Sequence, residues 1–367
     1  MKRILITSVA VSALGGMAQA GGIDRSGQGI GILFEPGRYA ELSFGHVSPK
    51  IDGTDAAGQP TGSVVNSYSQ IAFGYKYDIN SRLSFALIVD QPFGADVFYP
   101  VIASAPFPDV LDGTKAKADA VAVSGILRYK LDNGFSVHGG LRAQKAEGEI
   151  TLSGAAYSTL SGYNVKLASD IAPGYLVGIA YEKPEIALRV ALTYNSAITH
   201  KFDTTQSAPF PSGTITEVEL PQSVNLDFQS GVAKDTLVFG QIRWVDWSAF
   251  LIDPVGFPGN GLVELEDTTT YTLGVGRRFS EKWAGSISFT YEGGGSDDLV
   301  SPLAPTNGRR GVTIGAAYTE GNMKVSMGLN YTKVGDARPE TGTPDVARAS
   351  MTDNDLIGLG IKVGWTF

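Results

Sequence analysis

The sequence predicts an all-β chain: a transmembrane antiparallel β-barrel of 14 strands. Three observations carry this reading. Apolar residues recur at every second position over many separate stretches, giving each stretch one greasy face and one small or polar face. The links between stretches alternate between tight turns and long loops. The chain also opens with an export signal and ends on an aromatic residue.

The export signal comes first. Lys2 and Arg3 give a positive start, Ile4 to Gly16 an apolar core, and Ala18-Gln19-Ala20 a small-residue cleavage site. Residues 1–20 read as a signal peptide, and residues 21–37 lie between it and the first strand. The barrel is expected over residues 38–367. Its outward sets begin with Ala40, Leu42 and Phe44, then Ile71, Phe73, Tyr75 and Tyr77, then Leu83, Phe85, Leu87 and Val89. They end with Ile357, Leu359, Ile361, Val363, Trp365 and Phe367. Many sets start or stop on Tyr, Trp or Phe, as interfacial girdles require.

Tight links fall at Asn80-Ser81, Asp132-Asn133-Gly134, Glu182 to Glu185, Lys234-Asp235, Ser280-Glu281-Lys282 and Glu320-Gly321-Asn322. Long ones are expected at 49–66, 92–116, 150–163, 202–221, 248–267, 293–308 and 334–353. Such alternation needs an even strand number with both termini on the tight-turn side, which in outer-membrane barrels is periplasmic.

Composition narrows the function. Charged residues are 18% of the chain, below the roughly 25% of soluble proteins. No run reaches the ~18 apolar residues of a spanning helix. There is no cysteine, which excludes disulfide scaffolds, zinc–thiolate sites and cysteine catalysis. Three histidines (His46, His138, His200) and a formal net charge of −8 argue against a histidine-rich metal site and against nucleic acid. No cofactor is expected. Gly274-x-Gly276-x-x-Phe279 lies inside a strand pattern and lacks a dinucleotide setting. Gly293 to Asp298 reads as a solvated loop rather than a calcium site, and no Gly-x-Ser-x-Gly elbow is present.

Three stretches, Tyr77 to Tyr99, Leu220 to Ser223 and Val245 to Phe250, resemble segments of the FadL/TodX type of long-chain fatty acid and hydrophobic-compound transporters. Tyr77 to Tyr99 resembles that family's third-strand region, with a tight turn, an apolar strand and Pro92-Phe93-Gly94. Leu220-Pro221-Gln222-Ser223 and Val245-Asp246-Trp247-Ser248-Ala249-Phe250 resemble its L-P segment and W-S-x-F strand end. The terminal Phe367 resembles the C-terminal signature of outer-membrane proteins. The resemblance implies passive uptake of fatty acids or other lipophiles by a monomer in the outer membrane of a Gram-negative bacterium, amid lipid and lipopolysaccharide. It also implies a wall kinked open at Gln91, Pro92, Phe93 and Gly94, where proline would interrupt the ladder. By the same resemblance residues 21–37, with Gly27, Gly29, Glu35 and Pro36, form a plug inside the barrel; it is short for the family, and Glu35-Pro36-Gly37 stands where Asn-Pro-Ala is usual.

The long loops are apolar for segments outside a membrane. Phe93, Phe98, Tyr99, Phe107, Phe210, Phe250 and Phe257 are the expected ligand contacts. The alternation turns several cations inward, and Arg142, Arg189 and Arg243 lie deep enough to grip a carboxylate head group. The same arginines could instead pair with inward acids such as Glu41 or Asp227. The rival readings are a porin for small polar solutes, an outer-membrane enzyme, and an adhesive barrel.

Overall fold

The computed structural model describes residues 23–101, 110–259, 261–342 and 344–367. Alternating apolar residues with tight turns favour neighbouring antiparallel strands, and the sheet they build closes on itself. Its 17 hydrogen-bonded segments make fourteen spans, because three spans are each interrupted once. These are β1 (Tyr39–Lys50), β2 (Tyr68–Asp78), β3 (Leu83–Asp90, resumed at Gly94–Phe98), β4 (Lys115–Lys130), β5 (Phe135–Leu152) and β6 (Tyr163–Lys183). They continue with β7 (Leu188–Asn195, resumed at Ile198–Gln206), β8 (Thr214–Leu220, resumed at Ser223–Ala233), β9 (Thr236–Val245) and β10 (Thr268–Arg278). The last four are β11 (Trp283–Glu292), β12 (Arg309–Glu320), β13 (Met323–Val334) and β14 (Asp355–Thr366). Closure comes from β1 against β14, with Tyr39 opposite Thr366 and Lys50 opposite Asp355. No edge strand is left to aggregate. Tight turns are set locally: Asn80 Oδ1 accepts from the amides of Arg82 and Leu83, each at 2.9 Å.

In the tight-turn half, apolar side chains face out and polar ones face in. Leu42, Phe44, Leu127, Leu273, Ile314 and Leu359 are exposed on the outside, while Lys76, Arg128, Arg142, Gln144 and Asn195 are buried inside. Aromatic pairs mark the boundaries. Phe135–Tyr181 (4.8 Å) and Trp283–Tyr318 (4.9 Å) lie toward the tight turns, and Tyr175–Tyr194 (6.1 Å) lies higher.

Above that upper pair the polarity inverts. The expected loops at 150–163 and 202–221 are largely strand, since β5 runs to Leu152, β6 starts at Tyr163, β7 reaches Gln206 and β8 starts at Thr214. Here Lys145, Glu147, Lys201 and Glu217 face out, and Ile150, Val165, Leu167, Phe202 and Val218 face in. Water wets the outer face beyond the lipid, so the greasy side turns inward. A reading based on apolar-outward alternation stops at the lipid boundary for that reason. The inverted region shares one apolar cluster with the long loops, including Val47, Val64, Tyr99, Leu111, Trp247 and Met351.

Two seams of the wall lack ladder pairs. Between β2 and β3 the ladder runs from Asp78–Ser84 up to Phe73–Val89 and stops. Between β6 and β7 it stops at Leu176–Asn195 and resumes at Leu167–Thr204.

Candidate functional site

Proline has no N–H, so β3 cannot continue as a regular strand through Pro92. The chain departs from β2 there, and Gln91 Oε1 takes the Ile71 amide at 3.1 Å in place of a backbone carbonyl. The residues before β1 occupy the inner side of this kink. The Arg25 amide donates to the Pro92 carbonyl and the Gly94 amide to the Ile23 carbonyl, both at 2.8 Å. Ile23 to Arg25 thus form a short strand antiparallel to Pro92 to Gly94, with Asp24 bridged to Phe93.

Side chains fix this segment from the opposite wall. Arg243 holds Asp24 with both edges of its fork, Nε to Oδ2 at 2.6 Å and Nη2 to Oδ1 at 3.0 Å. Its Nη1 donates to Asn225 Oδ1 at 2.8 Å and Ser223 Oγ at 3.1 Å. The Ser223 hydroxyl donates to Gln28 Oε1 (2.8 Å), and Asn225 Nδ2 to the Gly27 carbonyl (2.9 Å). Gly27 and Gln28 both have positive φ (63° and 53°), which turns the segment away from the kink. Further on, Arg128 Nη1 donates to the Leu33 carbonyl at 3.3 Å and pairs with Glu182. The Phe34 ring lies between the Arg128 and Arg189 guanidiniums, 4.4 and 4.5 Å from its centre.

Arg25 sits in the β2/β3 seam. It is 4% exposed, lies 4.5 Å from the centre of the Tyr68 ring, and reaches Asp119 Oδ1 at 3.5 Å. A Cβ at Gly94 would come within 2.3–2.5 Å of the Arg25 guanidinium, so any side chain there displaces the end of Arg25.

Three cavities are stacked along the barrel. An apolar chamber of about 70 Å³ lies above the Ile23–Phe93 strand pair, lined by Phe93, Ala146, Leu167, Phe202, Phe250 and Ile252 among others. Below it a mixed cavity of about 240 Å³ is lined by Arg25, Ser26, Asp90, Arg189 and Asp227, and also by Phe44, Ile71 and Phe73. Asp90 and Gln91 in this lining stand at the upper end of β3, where its pairing with β2 has stopped. A third, of about 500 Å³, opens at the tight-turn end between Phe34, Glu35, Pro36, Glu182, Arg189 and Lys324.

The residues expected from sequence fall into distinct places. Phe93 and Phe250 line the apolar chamber. Trp247 joins them edge-on at 5.6 and 6.0 Å, respectively. Phe210 and Phe257 pack on the Tyr163 ring, each at 5.0 Å, and Tyr99 is buried in the same cluster. Phe98 is 39% exposed, and Phe107 lies outside the described residues. Gln91, Pro92 and Gly94 frame the seam. Gly29 and Glu35 line the mixed cavity, Glu35 and Pro36 the lower one, and Gly27 makes the turn.

The three arginines separate. Arg189 lines both lower cavities, and Arg142 is buried with Nε on Ser124 Oγ at 2.9 Å. Arg243 is committed to Asp24, not to Asp227, which instead accepts from Gln241 at 2.9 Å. Glu41 is taken by Lys362 at 3.3 Å. Sequence reasoning missed Asp24 and Arg25, whose only signal was two opposite charges in an otherwise glycine-rich leader. It also missed Pro173, a proline in the upper course of β6.

A family model described as outer membrane protein transport protein (OMPP1/FadL/TodX) matches residues 40–367. The chain belongs to this family. It is therefore an outer-membrane β-barrel of the family that transports hydrophobic compounds. Among solved structures, a Pseudomonas aeruginosa FadL homologue is similar at 15% identity and a TM-score of 0.75, covering 96% of this chain and 97% of that one. The toluene transporter TodX of P. putida is similar at 13% identity and a TM-score of 0.63, with 91% of each chain covered. The Ralstonia pickettii toluene transporter TbuX is similar at 15% identity and a TM-score of 0.62, covering 91% and 90%. At these identities the likeness concerns the fold. No curated protein sequence matches the chain.

Proposed function

We propose that this FadL/TodX-family protein takes up long-chain fatty acids or other lipophilic molecules passively across the outer membrane, as a monomer after removal of residues 1–20. The observation that carries the reading is the order of the cavities. An apolar chamber under the extracellular loops is separated from a mixed cavity by the Ile23–Phe93 strand pair, and that mixed cavity reaches Asp90 and Gln91, where β3 leaves β2. A greasy ligand gains burial in the first, as its apolar surface leaves water. It leaves through the second into lipid, where its apolar surface is also out of water. The segment from Ile23 to Pro36 is the plug, and its movement past Arg243 and Arg25 is the gated step.

The chamber, at about 70 Å³, is smaller than the ~150 Å³ that holds benzene in an engineered apolar cavity. Ligand entry therefore requires loop side chains such as Phe250 and Ile252 to part. Apolar contacts of this kind accept fatty acids and monoaromatic hydrocarbons alike, and Arg189 is the guanidinium placed to meet a carboxylate on its way down.

The test records conductance of the refolded protein in planar bilayers beside uptake of a labelled long-chain fatty acid and labelled toluene into proteoliposomes. Saturable uptake with little conductance is the expected result. Steady conductance without uptake of either compound would make the barrel a porin.

A further inference from the structure

The β6/β7 seam has a different origin from the β2/β3 seam. Below it, the inward residues of β6 are even-numbered (Ala172, Leu176, Ala180), and above it they are odd (Tyr163, Val165, Leu167). In β7 they are odd below (Ala191, Thr193, Asn195) and even above (Ile198, His200, Phe202, Thr204). β6 changes phase between Leu167 and Asp170, where its Ala168 and Ser169 face the single residue Glu147 of β5. β7 changes phase at Ser196-Ala197, lower on the wall. Between those two heights the strands are out of step by one residue, so neither faces nor rungs match.

Pro173 removes a further rung. The Tyr175 amide points at β7, where it donates to Ser196 Oγ at 3.0 Å. Two residues earlier the same direction belongs to a residue with no N–H. In place of a ladder, one carboxylate stitches the strands. Asp170 Oδ2 accepts from His200 Nδ1 at 2.9 Å and from the Lys201 amide at 3.3 Å.

The seam joins two apolar surfaces. On the inside, Leu167 and Phe202 flank its upper end and line the apolar chamber. On the outside, Ile171 is 70% exposed, just above the Tyr175–Tyr194 pair that marks the upper lipid boundary. Unpaired backbone is tolerable at this height because interfacial water reaches it, as it would not deeper in the bilayer.

We propose that the β6/β7 seam is a lateral portal through which a lipophile lodged at the outer-leaflet interface enters the apolar chamber tail-first, without passing through the loops. The portal rests on the transporter reading above. Parting it breaks two hydrogen bonds to Asp170 and, at its lower end, the reciprocal Tyr175–Ser196 pair rather than a full ladder, and the head group stays in the polar layer while the tail slides in.

The chain contains no cysteine, so an engineered pair reports without background. Ile171→Cys with Thr199→Cys places two outward thiols across the seam. Ile179→Cys with Leu192→Cys places two across an intact rung of the same strands. Dansyl-labelled undecanoic acid is supplied either predissolved in the proteoliposome bilayer or from water, and capture is read by energy transfer from tryptophan. Oxidation of the seam pair is expected to slow capture from the bilayer severalfold, with recovery on reduction, and to leave capture from water and the control pair unchanged. Capture from the bilayer that is equally fast in oxidised and reduced seam protein overturns the portal. Reduced protein that captures the probe from neither phase overturns the transporter reading itself.

Discussion

The two seams reach the same end by opposite means. At β2/β3 the backbone leaves its neighbour: pairing ends at Phe73–Val89, and the space is filled by Arg25 from a distant part of the chain. At β6/β7 the strands stay side by side and fail to pair because they are out of phase. Side-chain acceptors stitch both seams, Gln91 Oε1 in the first and Asp170 Oδ2 with Ser196 Oγ in the second. Only the first is filled by a side chain of the N-terminal segment, Arg25. A barrel wall can thus be weakened by departure or by mismatch, and only departure needs a separate element to close it.

The largest effect should come from removing the N-terminal segment's anchor. Arg243→Ala leaves Asp24 facing a buried polar cluster with no cation on it, a loss on the order of 3 kcal/mol for such a pair. The N-terminal segment should then become protease-sensitive in the folded barrel, and conductance through β2/β3 should rise. Unchanged proteolysis would mean that the strand pairing with Pro92 to Gly94 holds the segment unaided.

Gly94→Val should act next most strongly. Its side chain would occupy the place of the Arg25 guanidinium, and overpacking of this kind costs about 1–3 kcal/mol. Conductance should rise while the β6/β7 cross-linking response stays the same, which would separate the two seams. A change at both would show that they are coupled through Phe93 and the apolar chamber.

Pro173→Val should have the smallest effect. It restores one N–H, worth about 0.5–1.5 kcal/mol if it finds a partner, but the phase mismatch remains. Hydrogen exchange at residues 168–175 should stay faster than at Ile179, with protection gained only locally. Full protection across the seam would mean that proline, rather than phase, keeps the strands apart.

The candidate site was legible where local pattern marks it. Pro92, Phe93 and Phe250 stand out in the sequence because a proline inside an apolar alternation and greasy residues in long loops are local anomalies, and the structure puts the two aromatics on the apolar chamber. Arg243 was visible as an inward charge, but its partner was not. Asp24 lies 219 residues away, and nothing in either neighbourhood names the other.

What the sequence determined by itself was the strand number, the lipid-facing set and the order of turns and loops. Strand faces repeat every two residues, and lipid imposes one polarity on all of them. What only the tertiary structure decided was how the cylinder is filled and where its wall gives way. The leader enters the barrel because Arg243, Ser223 and Asn225 converge there from β8 and β9. The β6/β7 mismatch exists because bulges in neighbouring strands fall at different heights. Both are relations between strands, and a strand's own alternation carries no record of its neighbour's phase.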